Sequence, residues 1–219
     1  MSRLGPYCSY CERRIATGLE VEHIQPKSLA AYSALIGSWG NFLLACLNCN
    51  RTKRDKEVAL AEFLLPDRDN TFAAYQYAAD GKVTAGAGLT GRQRQMAQAT
   101  LGLVGLDKPV EKFEDSNGKM VALDRVAQRM QVWGIAESAK VDVEASPGVE
   151  AVRRNVVRTA LAEGYFSVWM TVFAGDAEMR ERLVDGFSGT RESGCFAVGT
   201  AAVVQPAPNP DGLANGGKA

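Results

Sequence analysis

No stretch of unbroken apolar sequence in this chain approaches the length that a helical membrane span requires, which excludes that class of protein as an expectation. The N-terminal residues, Met1-Ser2-Arg3-Leu4-Gly5-Pro6, lack the apolar core of a signal peptide, so a cytoplasmic location without a membrane partner is expected. There is no internal repeat. Neither sign of charge is in excess: 25 Lys and Arg balance 25 Asp and Glu, and overall charge gives no argument for an anionic partner. Histidine is nearly absent, with one in 219 residues. What remains is ordinary for a globular protein, with 46% hydrophobic and 23% charged residues. The length suits one large domain or a small domain fused to a larger one.

The distribution of charge says more than its sum. Residues 1–56 hold eight basic residues (Arg3, Arg13, Arg14, Lys27, Arg51, Lys53, Arg54 and Lys56) against four acids, Glu12, Glu20, Glu22 and Asp55. The first quarter is therefore formally +4 and the remainder −4, so an anionic partner is expected to meet the N-terminal segment. Along the same segment, Leu19 to Ile24 alternates apolar and polar side chains like a half-buried strand, and Phe42-Leu43-Leu44-Ala45 is a second short apolar run. Asn50 to Leu65 lacks glycine and proline and predicts a helix ending before Pro66.

Downstream, Tyr75-Gln76-Tyr77 and Lys82-Val83-Thr84 predict a hairpin around Asp80-Gly81. Thr90 predicts a cap for a helix from Gly91 to about Leu103. Met120, Leu123, Ala127, Met130 and Trp133 fall at helical spacing, as do Val149, Val152, Val156 and Ala160. Two shorter helices are expected over Tyr165–Phe173 and Ala177–Phe187. The tail from Gln205 onward, with three prolines and three glycines, is expected to be disordered. These readings give an α+β chain in three parts: a module over 1–65, a mainly helical accessory or partner-binding region over 66–204, and a disordered tail over 205–219.

Four of the five cysteines form two CxxC pairs, Cys8/Cys11 and Cys46/Cys49. Each pair puts two thiolates on a tight turn, and two turns complete a tetrahedron around one structural zinc. Disulfides are the rival reading, disfavoured by the expected compartment; four reduced buried thiols, or a redox pair, are the others. Cys195 stands apart and is expected to be an inert buried residue. A zinc staple would let a short segment fold that is too small to build its own core.

His23, the lone histidine, follows Glu22 on the first predicted strand, and Asn41 and Asn50 flank the second cysteine pair. The strings Val21-Glu22-His23-Ile24-Gln25-Pro26-Lys27-Ser28, Trp39-Gly40-Asn41-Phe42-Leu43-Leu44 and Cys46-Leu47-Asn48-Cys49-Asn50-Arg51-Thr52-Lys53 together resemble an HNH endonuclease. The resemblance covers about residues 8–56. It implies a ββα-metal fold, with the cysteine quartet as structural zinc. It implies His23 as the general base that deprotonates the attacking water, and Asn41 as a loop residue that orients His23 through hydrogen bonds. Asn50 would ligate a catalytic Mg²⁺ or Mn²⁺ from the helix, and Glu22 would be the partnering carboxylate. Asp is commoner at the position of Glu22.

Phosphodiester hydrolysis needs an activated water and charge neutralisation at the transition state and leaving oxygen, which an imidazole and a divalent cation supply. Arg51, Lys53 and Arg54 are candidates for holding flanking phosphates, with Lys53 favoured. The implied partner is nucleic acid, DNA ahead of RNA. An N-terminal HNH module before a helical extension also resembles the nuclease subunit of Septu-type bacterial antiphage systems, which works with an ATPase partner. The competing readings are a zinc-stabilised nucleic-acid-binding module without catalysis and a redox or zinc-sensing adaptor. Neither accounts for Glu22, His23 and Asn50 together.

Overall fold

The computed structural model describes residues 5–108, 112–114, 120–122 and 125–219. The chain enters through a knuckle. An antiparallel bridge between Tyr7 and Arg14 closes the turn that carries Cys8 and Cys11, and Cys8 N donates to Arg13 O at 3.0 Å. Strand β1 (Glu20–His23) then pairs antiparallel with β2 (Phe42–Ala45), with His23 opposite Phe42, Glu22 opposite Leu43 and Val21 opposite Leu44. Because side chains alternate along a strand, the hairpin has two unlike faces. Glu22, Leu43 and Ala45 are buried on one, while His23, Phe42 and Leu44 are half-buried and Val21 exposed on the other.

Helix α1 (Leu47–Lys53) starts on Cys46, whose sulfur accepts from the backbone N–H of Cys49. It ends at Lys53, twelve residues before the expected stop at Leu65. Arg54 takes a left-handed φ of 52°, and the turn it makes keeps the following segment against the core. Val58 O there accepts from Gln25 Nε2, and Leu64 N donates to Thr100 Oγ1. Val58, Leu64 and Leu65 are all buried as a result.

Helix α2 (Thr71–Ala74) leads into the expected hairpin of β3 (Tyr75–Tyr77) and β4 (Val83–Ala85). Gly81 supplies the φ of 74° at its turn, where a Cβ would sit 2.4 Å from Val126 O. Helix α3 (Gly91–Val104) starts on the Thr90–Gln93 capping box, as the sequence predicts. Strands β5 (Lys112–Glu114) and β6 (Met120–Ala122) pair antiparallel. The helix expected from Met120 therefore begins later, as α4 (Arg125–Ala145), and runs further; Leu123 lies outside the described residues. Helices α5 (Glu150–Glu163), α6 (Phe166–Val172) and α7 (Ala177–Gly186) complete a mostly helical region. The architecture is thus α+β: small N-terminal strands and a helix around a cysteine cluster, then helices. Among the described residues no helix is long and apolar enough to cross a membrane.

Among the described residues two buried clusters organise the fold. The first joins the four cysteines, Ile24, Leu43 and Val58 to Tyr75, Val83, Met96 and Leu101, so the boundary expected after residue 65 falls inside it. The second surrounds Trp169, Phe173 and Leu183. Specific polar contacts weld the two. The Glu12 carboxylate accepts from Ser167 N at 2.8 Å and Ser167 Oγ at 2.6 Å at the start of α6, and Glu12 O accepts from Tyr165 N. A carboxylate at this place satisfies amide groups the helix itself leaves without partners. Gly164 must be glycine there, since a Cβ would meet Arg14 N and Glu12 O at 2.6 Å. The segment 205–219, expected to be disordered, lies against the first cluster: Ala219 is buried, Gly217 N donates to Arg68 O and Lys218 N to Asp69 Oδ1.

Candidate active site and metal centre

The four cysteines of the two CxxC turns come together. All are buried, and their sulfur atoms lie within 4.8 Å of one another. Cys11 and Cys46 are 3.8 Å apart, sulfur to sulfur. A tetrahedron with Zn–S bonds of about 2.3 Å has an edge of about 3.8 Å, so the cluster fits a structural zinc in donor type and spacing. Packed this closely, the thiols pull one another's ionisation in opposite directions. Hydrogen bonding from Cys11 lowers the pKa of Cys46, while hydrogen bonding to Cys46 raises that of Cys11 well above the ordinary range. A bound cation would take all four as thiolates and remove that conflict. Arg125, at the start of α4, donates to Cys49 Sγ at 3.6 Å and to the carbonyls of Val104 and Gly105. It thereby ties the cluster to the end of α3 with a positive charge. Cys195 sits elsewhere, half-buried beside the second core.

His23 stands at the end of β1 on the open face of the hairpin. Its ring packs edge-on against Phe42, with centroids 5.0 Å apart, and Nε2 lies 3.1 Å from Ile36 O. A carbonyl oxygen only accepts, so this contact places the ring proton on Nε2 and leaves the lone pair on Nδ1. The Asn41 side chain makes its hydrogen bonds to the loop backbone and not to His23. It is buried and clasps the two ends of the connecting loop: Oδ1 accepts from Gln25 N at 2.8 Å, and Nδ2 donates to Gln25 O at 3.0 Å and Leu35 O at 3.4 Å. Its effect on His23 therefore passes through the loop backbone that ends in the Ile36 carbonyl.

On the other face of the same strand lie the acids. Glu22 is buried with its Oε1 2.6 Å from Lys53 Nζ, a close ion pair in which that oxygen completes no aligned hydrogen bond. Burial raises the Glu22 pKa, and Lys53 opposes the rise. Lys53 also donates to His23 O at 2.8 Å and is 0% exposed. The expectation that Lys53 holds a phosphate is thereby corrected: its ammonium is consumed inside the module. Arg51 and Arg54 are exposed on and after α1. Asn50 faces β1 from α1, donating from Nδ2 to Glu20 Oε2 at 2.7 Å. An ionised carboxylate only accepts, so the amide oxygen of Asn50 is left for another partner.

The structure therefore brings Asn50 to Glu20 and Glu22 to Lys53, and sets His23 on the opposite side of the strand. Glu20 is the residue that the sequence reading missed, although it precedes Glu22 by two and shares its face by strand periodicity. Among the described residues, the cysteine quartet is the only group of three or more His, Cys, Asp or Glu side chains close enough to share one ion. Mg²⁺ needs fewer, since it keeps several waters and takes one or two protein oxygens. The oxygens of Glu22 and Asn50 fit such an ion in kind, although Glu22 Oε1 is already paired with Lys53 at 2.6 Å.

Among curated proteins no sequence matches the chain. Residues 8–56 match the HNH endonuclease family model, so the segment that carries the cysteine quartet, His23, Asn41 and Asn50 is an HNH endonuclease domain.

Proposed function

We propose that the protein is a metal-dependent endonuclease that hydrolyses phosphodiester bonds of nucleic acid, DNA ahead of RNA, with His23 as general base. The observation that carries this reading is the Nε2 contact to Ile36 O within the HNH-matched segment. It leaves Nδ1 with its lone pair on the open face of the hairpin, where a water can be deprotonated. The proton would be held at Nδ1, and the resulting imidazolium is stabilised by the carbonyl that already accepts from Nε2. Asn41 keeps that carbonyl's loop in place, as a positioning residue.

Asn50, through its amide oxygen, and Glu22 would hold the divalent cation, with Glu20 fixing the orientation of the Asn50 amide. Such a cation, when bound, neutralises charge on the transition state and the leaving oxygen. Its binding at Glu22 competes with the Lys53 ammonium, so Lys53 must share or yield that oxygen. Arg51 and Arg54 are the exposed candidates for flanking phosphates. The cysteine quartet with zinc would hold the module's shape and take no part in the chemistry.

The layout of an HNH module ahead of a helical region supports a setting in bacterial antiphage defence with an ATPase as partner. The test of the nuclease reading is plasmid cleavage by the zinc-loaded protein with Mg²⁺, with Mn²⁺ and with neither. Cleavage that needs the added ion and is lost in Asn50→Ala is expected. Cleavage independent of added ion, or unchanged in Asn50→Ala, would overturn the assignment of the cation.

A further inference from the structure

The open face of the β1–β2 hairpin is apolar, and an indole stands at its edge. Val21 and His23 share this face with Phe42 and Leu44, their cross-strand partners. Trp39, on the short turn before β2, is 79% exposed, and Val21 and Ile36 are 59% and 47% exposed. The aromatic rings form a chain: Trp39 meets Phe42 edge-on at 6.4 Å, and Phe42 meets His23 edge-on at 5.0 Å. Among the described residues Trp39 makes no hydrogen bond through its indole N–H, and its remaining ring surface faces solvent. Large aromatic rings are normally buried, so one left bare within two ring contacts of the only histidine marks a surface with an occupant.

We propose that Trp39 stacks on an unpaired base next to the scissile phosphate, so that the substrate is single-stranded or locally unpaired nucleic acid. This inference rests on the nuclease reading above and deepens it. The substrate is what must approach His23 from the open face, and its flat apolar parts are its bases. In a duplex those bases are stacked on one another, whereas an unpaired base offers a free π-face to an indole. A phosphate finds no positive charge at Val21, Ile36 and Trp39, whose exposed surface is apolar apart from one indole N–H. Ile36 links the two functions, since the residue that offers its side chain to this patch also holds His23 through its carbonyl.

The experiment measures equilibrium binding of full-length His23→Ala protein, zinc-loaded and unable to cleave, to an oligothymidine single strand and to a mixed-sequence duplex. The same is done with Trp39→Ala and Trp39→Phe added. Loss of one base stack should weaken single-strand binding by about 10-fold or more in Trp39→Ala, with Trp39→Phe in between and duplex binding changed less than about 2-fold. Equal single-strand affinity in Trp39→Ala and its parent would overturn the stacking role and leave the patch to a protein partner. Equal loss on single strand and duplex would overturn the substrate class. Binding of neither nucleic acid by any of the proteins would overturn the nuclease reading itself.

Discussion

Replacing Lys53 by methionine removes one half of an ion pair from which water is excluded, and the cost follows from what is left behind. Lys53 Nζ is 2.6 Å from Glu22 Oε1, and both side chains are buried. At an effective dielectric of about 20 the attraction at this distance is about 6 kcal/mol. Much of it offsets the desolvation of the two charges, and breaking a buried pair by removing one partner costs about 3–5 kcal/mol. The His23 carbonyl loses its donor as well. The cost depends on pH. Burial already raises the Glu22 pKa against the opposing pull of Lys53, so the variant's carboxyl is raised further. A carboxyl whose folded pKa lies above its unfolded value, about 4.3, favours the folded state most at low pH and loses stability as pH rises through the folded value. Urea unfolding of zinc-loaded wild type and Lys53→Met, followed by the fluorescence of buried Trp169, should show a larger loss at pH 8 than at pH 5. A loss under about 1 kcal/mol, equal at both pH values, would refute the reasoning and return Lys53 to the surface as a phosphate ligand.

Cys46→Ser removes a sulfur of the quartet while the serine hydroxyl can still cap α1, so zinc content by atomic absorption and thermal stability should fall together through the metal alone; a fully stable variant would contradict the structural zinc. Asn41→Ala loses the clasp on Gln25 and Leu35, which should cost about 1–3 kcal/mol. It should also lower kcat with little change in KM and speed amide exchange at Gln25. Glu12→Ala leaves the start of α6 without its acceptor, at about 1–2 kcal/mol. Exchange at Ser167 should rise while zinc content holds; loss of zinc instead would mean that Glu12 supports the knuckle rather than the helix.

The elements that positioned the site were legible where period and spacing are local. The alternation around His23, the apolar run at Phe42, the CxxC spacing and the Thr90 cap each state their own structure. What escaped depends on contacts remote in sequence. Lys53 reads as one more cation in a basic helix, and only the approach of β1 shows that it is spent on Glu22 and the His23 carbonyl. The stop of α1 at Lys53 is set by burial of Val58 and Leu64, not by a breaker residue in the sequence. The tail reads as disordered from its prolines and glycines, yet its backbone finds partners at Arg68, Asp69 and Asn70, more than a hundred residues earlier. Glu20 was within reach of period-two reasoning; its pairing with Asn50 was not.

If His23 activates the water in a phosphodiester hydrolysis, removing its imidazole removes cleavage and leaves binding. The most direct measurement is the single-turnover cleavage rate of His23→Ala against wild type, both loaded with zinc, in Mn²⁺ and at matched nucleic-acid binding. The variant should be folded and zinc-replete, bind substrate and fail to cut it. Cleavage at the wild-type rate by such a variant would contradict that role of His23 and place the base elsewhere in the chain.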